Sequence, residues 1–295
     1  MTVRIGPIEY RLASPVGRLW AELAHLYREY PQNDPQHCPE YEVRVGPTAW
    51  WRRIVRPQIN IRADIMGPFA PLPAFQGQVA FEMGMNYQVA IGLNRYLILH
   101  AASVERGGEC VILSAESGSG KSTLAAGLAY GGWRLLGDEF AFIEPGSGLA
   151  LPYPRPVSLK NRAIDVMMEL APADRFSRRY HGTPKGTLGY LLPPPDSIAR
   201  MDEAARPRCV VFPKFSAGGT PSIRFIEKPE AHILLVASST NYQTLGEAGF
   251  LAMADLLDAC PAYEISYPSM EAAKALMEKI WAHSGEMRQK AAAHG

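Results

Sequence analysis

The sequence predicts an α/β fold, and three observations carry that prediction. An apolar strand, Cys110-Val111-Ile112-Leu113, runs into the glycine-rich turn Ala115-Glu116-Ser117-Gly118-Ser119-Gly120-Lys121-Ser122-Thr123. A run of helix formers, Leu124-Ala125-Ala126-Gly127-Leu128-Ala129, leads out of it. A second apolar strand, Trp133-Arg134-Leu135-Leu136-Gly137, follows the Gly131-Gly132 stop and ends on Asp138-Glu139. Strand, short helix and strand make a right-handed βαβ unit, so both strands end at the same sheet edge. Ligands of such sheets bind at that edge.

The turn has the layout of a phosphate-binding loop of the Walker A kind. Gly118 and Gly120 let the backbone curl so that successive N–H groups face inward, and the helix N-terminus adds partial positive charge at the same place. Ser117, Gly118, Ser119, Gly120, Lys121, Ser122 and Thr123 are therefore the candidate nucleotide contacts. Lys121 is expected at the β- and γ-phosphates and the Ser122 hydroxyl on Mg²⁺. The usual first glycine is Ala115 here, which narrows the loop's geometry without removing a phosphate donor. The plainer alternative is an ordinary Gly/Ser turn before a helix. Asp138 and Glu139 suit Mg²⁺ ligation or proton abstraction, against the plainer reading of a solvated turn pair.

Before the loop, Tyr96 to Val104 reads as a strand and Arg106-Gly107-Gly108-Glu109 as a tight turn. Cross-strand partners then sum to about 215, and His100 comes opposite Ala115 at the loop entrance. A lone histidine on an apolar strand is otherwise a core residue.

Composition sets outer bounds. The chain has 295 residues, 47% of them apolar, and 30 basic against 29 acidic side chains, so no global field recruits nucleic acid. Four scattered cysteines without C-x-x-C spacing fit a reducing cytoplasm. No apolar run reaches the ~18 residues of a membrane span, and the start, Met1-Thr2-Val3-Arg4-Ile5, lacks a signal core. The expectation is a cytoplasmic protein with no membrane span.

Elsewhere the chain reads as follows. Val16 to Tyr27 is an amphipathic helix, and Tyr41, Val43 and Val45 alternate as in a half-buried strand. Trp50 and Trp51 precede Arg52, Arg53 and Arg56; such a cluster marks nucleic acid or a peptide groove, or else buried tryptophans beside a solvated basic face, the reading preferred here. Pro68 to Pro73 breaks regular structure, as a linker or the start of a helix over 74–91. Phe140 to Tyr153 reads as a hairpin about Pro145-Gly146-Ser147-Gly148. The proline-stiffened stretch 152–160 offers Arg155 and Lys160 to phosphate oxygens. Helix formers follow at Asp165 to Leu170. Arg175 to Tyr190 is basic and glycine-rich, a loop able to close on substrate or a plain surface loop. Strands are expected over 208–212, 223–226 and 263–267, a helix over 245–257 and a closing helix with Met270, Ala273, Leu276, Met277, Ile280 and Trp281 on one face, all read as core. The tail from Ser284 is expected to fray.

These motifs resemble the HPr kinase/phosphorylase superfamily, through His100-Ala101-Ala102, the loop from Ser117 to Thr123 and Gly132 to Phe140. They are most similar to the branch called HPr-kinase-related kinase A, which is associated with bacterial exosortase and surface-protein systems. The resemblance extends from about residue 50 onward, through Pro68 to Pro73, Pro154 to Lys160 and Thr183 to Thr187. It implies a P-loop nucleotide-binding fold of the phosphoenolpyruvate-carboxykinase-like type with a mixed central sheet. The chain is expected to divide into an N-terminal α+β region over 1–92 and a P-loop kinase domain over 93–295. By residue, the resemblance implies a catalytic acid/base at Asp138, an active-site histidine at His100 and Mg²⁺ at or near Ser122 and Glu139; catalytic Lys121 and nucleotide contact at Arg155 rest on the loop pattern and the proline-stiffened stretch read above. Lys185-Gly186-Thr187-Leu188-Gly189 resembles the family's Arg-Gly-Leu-Gly loop with Lys for Arg. Glu139 stands where the parent enzymes have a second Asp, which bears on phosphorolysis more than on kinase action. ATP and Mg²⁺ are the implied cofactors, a serine on a small protein or peptide the implied acceptor, and a homo-oligomer the implied assembly. A non-catalytic nucleotide-binding regulator and a nucleotide-dependent enzyme of a small metabolite are the alternatives.

Overall fold

A computed structural model describes residues 1–32, 38–64, 69–116 and 118–293, with side chains to residue 287. Pro68 and Ser117, both named above, lie outside the described residues. In chain order the elements are β1 (Thr2–Ile5), β2 (Ile8–Ala13), α1 (Arg18–Leu26), β3 (Tyr41–Pro47), β4 (Gln58–Ala63), β5 (Leu72–Pro73), α2 (Gly77–Gly92), β6 (Leu97–Leu99), β7 (Ala101–Arg106) and β8 (Glu109–Ser114). Then come α3 (Lys121–Ala129), β9 (Arg134–Gly137), β10 (Ala141–Ile143), β11 (Ala150–Leu151), β12 (Val157–Lys160), α4 (Arg162–Met168), β13 (Tyr180–Thr183), β14 (Gly186–Leu191) and α5 (Pro195–Ala199). The last are β15 (Arg206–Phe215), β16 (Ser222–Ile226), α6 (Lys228–Ser238), α7 (Tyr242–Leu245), α8 (Glu247–Ala259), β17 (Ala262–Tyr267) and α9 (Met270–Ala293).

The chain forms two compact units, one of Met1–Leu93 with Arg155–Ala199 and one of Asn94–Pro154 with Arg200–Gly295. Residues 155–199, assigned from the sequence to the second domain, fold with the N-terminal unit instead. The reason is visible in Arg155 and Arg175, whose guanidinium groups are buried against Glu82 and Glu29 of that unit.

The first unit has a mixed sheet in the order β1-β2-β3-β4-β5, parallel at β2–β3 and antiparallel elsewhere. Its helix α1 buries Leu19, Leu23 and Leu26, the stripe the sequence shows. A second sheet, β12-β14-β13, is antiparallel. The glycine-rich stretch 175–190 is therefore largely a hairpin rather than a loop: Thr183 pairs with Gly186 across the two-residue turn Pro184-Lys185. Alternation at Leu188, Tyr190 and Tyr180, all buried, outweighs the loop-like composition. The Trp50–Arg53 turn lies between β3 and β4 with Trp50 81% exposed, so the tryptophans are not core.

The second unit is built on a six-stranded mixed sheet, β16-β17-β15-β8-β7-β9. β15 runs parallel to β8 and β17, while β7 is antiparallel to both β8 and β9. Thus β8 and β9 are parallel, separated by β7, and end at one edge as the βαβ argument requires. Cys110, Ile112, Val210 and Phe212 form one core with Leu235, Met253 and Leu256 from α6 and α8. On α9 the stripe Ala273, Leu276, Met277 and Ile280 is buried, and the helix continues to Ala293 where fraying was expected. The expected helix 245–257 is broken at Gly246, whose φ is 57°. A three-stranded antiparallel sheet, β11-β10-β6, completes the unit. Among the described residues no helix is long and apolar enough to cross a membrane.

Candidate active site

The β7–β8 hairpin has the register expected from Gly107-Gly108: Ala101 faces Ser114, Ala102 faces Leu113 and Arg106 faces Glu109. The single strand expected over 96–104 is divided, however. β6 pairs with β10 in the small sheet and β7 with β8 and β9 in the large one. His100 is the residue between them, and its N–H donates to the Ser238 carbonyl at 2.8 Å. The return crossing is Asp138-Glu139-Phe140, between β9 and β10. Because β6 pairs with β10 and β7 with β9, the two crossings lie side by side. Gly137 permits the second: a Cβ there would lie 2.5 Å from the Phe140 carbonyl oxygen.

This juxtaposition assembles the site. Gly118 and Gly120 both have φ of 93°, the left-handed conformation glycine adopts without strain. The first helical bond of α3 runs from Leu124 N–H to the Gly120 carbonyl at 2.9 Å. Lys121 opens that helix, is 7% exposed and donates from Nζ to the His100 carbonyl at 3.2 Å. The His100 imidazole Nδ1 lies 3.7 Å from Glu139 Oε2, an ion pair when the ring is protonated. Its ring also meets Phe140 edge-on, with centroids 6.3 Å apart. Asp138 is 3% exposed at the same crossing. Lys121, His100 and Glu139 thus form one chain of contacts, with Asp138 beside it in sequence. Ser122 and Thr123 occupy the first turn of α3, and Gly118, Ser119 and Gly120 the loop before it.

Arg155 belongs to the other unit. In the first unit its guanidinium donates to the Glu82 carboxylate and to Asn86 Oδ1, and is 6% exposed. Glu82 also accepts from Tyr27 Oη and Gln78 Nε2, each at 2.7 Å. Three donors on one buried carboxylate are a structural network, and the proline-stiffened approach carried no sign of it.

Two residues at the loop were missed. Phe215 and Tyr267 end the paired parallel strands β15 and β17. Phe215 N–H donates to the Ser119 carbonyl at 2.9 Å. A Cβ on Gly120 would lie 2.7 Å from Tyr267 Oη and 3.1 Å from Phe215 Cβ, so these side chains wall one side of the loop. Burial pushes the Tyr267 phenol's pKa upward. Tyr267 ends an expected strand and Phe215 lies just beyond one, but neither segment carries a signal that it borders the loop.

Among the described residues no three or more His, Cys, Asp or Glu side chains gather as a metal site. Mg²⁺ in phosphoryl-transfer sites typically takes only one or two carboxylates and completes its shell with phosphates and water. The hard oxygen donors Ser122 and Glu139 fit that sparse mode.

No family model matches the chain, and no curated protein matches it. Among solved structures it has a distant likeness to the structure of the Hpr(Ser) kinase/phosphatase from Coxiella burnetii, at 11% sequence identity and a TM-score of 0.28, covering 65% of this chain and 98% of that one.

Proposed function

We propose that the chain is an ATP- and Mg²⁺-dependent kinase of the cytoplasm that transfers the γ-phosphoryl group to a serine hydroxyl of a small protein or peptide. The observation that carries this reading is the meeting of Lys121, at the start of α3 behind two left-handed glycines, with His100 on one crossing and, through its ring, with Glu139 beside Asp138 on the other. Phosphoryl transfer asks mainly for positioning and charge neutralisation. The loop N–H groups and Lys121 hold the phosphates. Ser122 and Glu139 would hold Mg²⁺, which supplies further neutralisation of phosphate charge when bound. Asp138 accepts the hydroxyl proton as the serine oxygen bonds to phosphorus and the bond to the ADP oxygen breaks. His100 and Glu139 set the electrostatics beside it.

The test combines calorimetry of ATP·Mg²⁺ binding with transfer from γ-labelled ATP to serine-bearing proteins encoded nearby. Lys121→Ala is expected to lose nucleotide affinity and transfer together. Equal affinity in wild type and variant would defeat the reading.

A further inference from the structure

The hairpin tip between β3 and β4 plays no part in that chemistry. Its strands leave the ladder at Pro47 and Ile59, and residues 48–57 make the connection through the Trp50–Arg53 turn. Four large apolar side chains stand out there: Trp50 is 81% exposed, Ile54 82%, Val55 56% and Trp51 41%. Isolated exposed apolar residues are ordinary on protein surfaces, but a contiguous group marks an interaction site. Arg52, Arg53 and Arg56 are interleaved with them, and 47–58 contains no Asp or Glu. Among the described residues no carboxylate pairs with these three arginines; Arg52 lies 4.1 Å over the Trp51 ring and also reaches the Arg56 carbonyl. Glu42 and Asp64 belong to the opposite end of the hairpin, where Val43 pairs with Ala63. The tip is thus a small apolar prominence inside a wholly cationic collar.

We infer that this tip docks the protein on an anionic lipid surface, with Trp50, Ile54 and Val55 entering the headgroup–acyl boundary and the three arginines on lipid phosphates. Charge complementarity selects this occupant: the collar has three guanidinium groups and no carboxylate. Tryptophan beside aliphatic side chains and arginine is the composition of membrane-interface segments, which sink about 5–10 Å. A nucleic acid would stack on the tryptophans but gives Ile54 and Val55 nothing to bury against. The cytoplasmic leaflet carries the required negative potential. This inference is independent of the nucleotide site.

The full chain is to be sedimented with vesicles of phosphatidylcholine alone and with vesicles containing phosphatidylglycerol as well. Binding is expected to the anionic vesicles only. Each Arg→Gln change at 52, 53 or 56 should weaken the partition about fivefold, and all three together roughly a hundredfold. Trp50→Ser with Ile54→Ser, which leaves charge untouched, should weaken it about tenfold or more. As a measurement on the unaltered protein, acyl-brominated anionic lipid should quench tryptophan emission. Circular dichroism confirms that the variants fold. Equal binding to neutral vesicles, a Trp50→Ser/Ile54→Ser protein that binds like wild type, or absent quenching each overturns the inference. So does binding of a single-stranded RNA that the arginine changes abolish while vesicles go unbound.

Discussion

The loop edge of the second unit and the hairpin tip of the first depart from the same rule in opposite directions. Burial of apolar groups and exposure of charged ones is the ordinary arrangement. At the loop edge, Lys121 and Asp138 are 7% and 3% exposed. At the tip, Trp50 and Ile54 are 81% and 82% exposed. Buried ionisable groups are costly without compensation, and exposed apolar groups forgo a hydrophobic gain. Lys121 is met from within, by the His100 carbonyl, whereas Trp50 and Ile54 stand outside the apolar core.

The largest effect should come from Asp138→Asn. The amide keeps the size and much of the hydrogen bonding but cannot accept a proton. Transfer is expected to fall by roughly two to four orders of magnitude, with little change in ATP affinity. Single-turnover kinetics with calorimetry separates the two. A wild-type rate would mean that burial of Asp138 is not about catalysis. A collapse of ATP·Mg²⁺ affinity would make Asp138 a metal ligand and send the search for a base to Glu139 or His100.

Buried charge alone does not make a site, and a second pair sharpens the contrast. Glu105 and Arg134 face each other across β7 and β9, both side chains 2% exposed, with Nε donating to Oε2 at 2.5 Å. Arg134 also donates to the carbonyls of Arg200 at 2.6 Å and Glu203 at 2.9 Å, and Glu105 accepts from Gly108 N–H at 2.5 Å. This pair is satisfied from within. Arg134→Met is expected to cost about 3–5 kcal/mol by stranding the Glu105 carboxylate, and Glu105→Leu added to it should recover much of the loss. Denaturant titration measures both. If the single change is mild, burial is a poor guide to cost here and the comparison weakens.

What the sequence made legible was local. The loop is one contiguous strand–turn–helix, and the hairpin register followed from Gly107-Gly108, so the placement of His100 near Lys121 could be reasoned from neighbours in the chain. The hidden features depend on partners far apart in sequence. The ion pair of Arg155 with Glu82, 73 residues away, leaves no mark in its own segment. The 175–190 stretch read as a loop because its glycines outweighed an alternation that matters only once β12 pairs with β14. Trp50 and Trp51 were assigned to the core on residue type alone. Phe215 and Tyr267 were missed because nothing in their own segments says which strand will lie beside the loop.

Tyr267 gives the smallest expected effect and the finest test of the contrast. Its hydroxyl is buried and has no hydrogen-bond partner among the described residues, and so is Ser119 Oγ in the loop itself. With its pKa raised by burial, the phenol stays a neutral donor at physiological pH. An unsatisfied buried hydroxyl costs about 1–3 kcal/mol, so Tyr267→Phe should raise the stability of the nucleotide-free protein by about 1 kcal/mol. If the hydroxyl is kept for what the loop binds, the same change should also shrink the stabilisation gained on adding ATP·Mg²⁺. Thermal melts of both proteins, with and without nucleotide, read the two quantities together. Higher intrinsic stability with a smaller nucleotide shift would place Tyr267 with Lys121 and Asp138, as a polar group buried in readiness. Higher stability with an unchanged shift would make the hydroxyl a packing fault beside the loop. The wall at Gly120 would then shape the loop without reading its ligand.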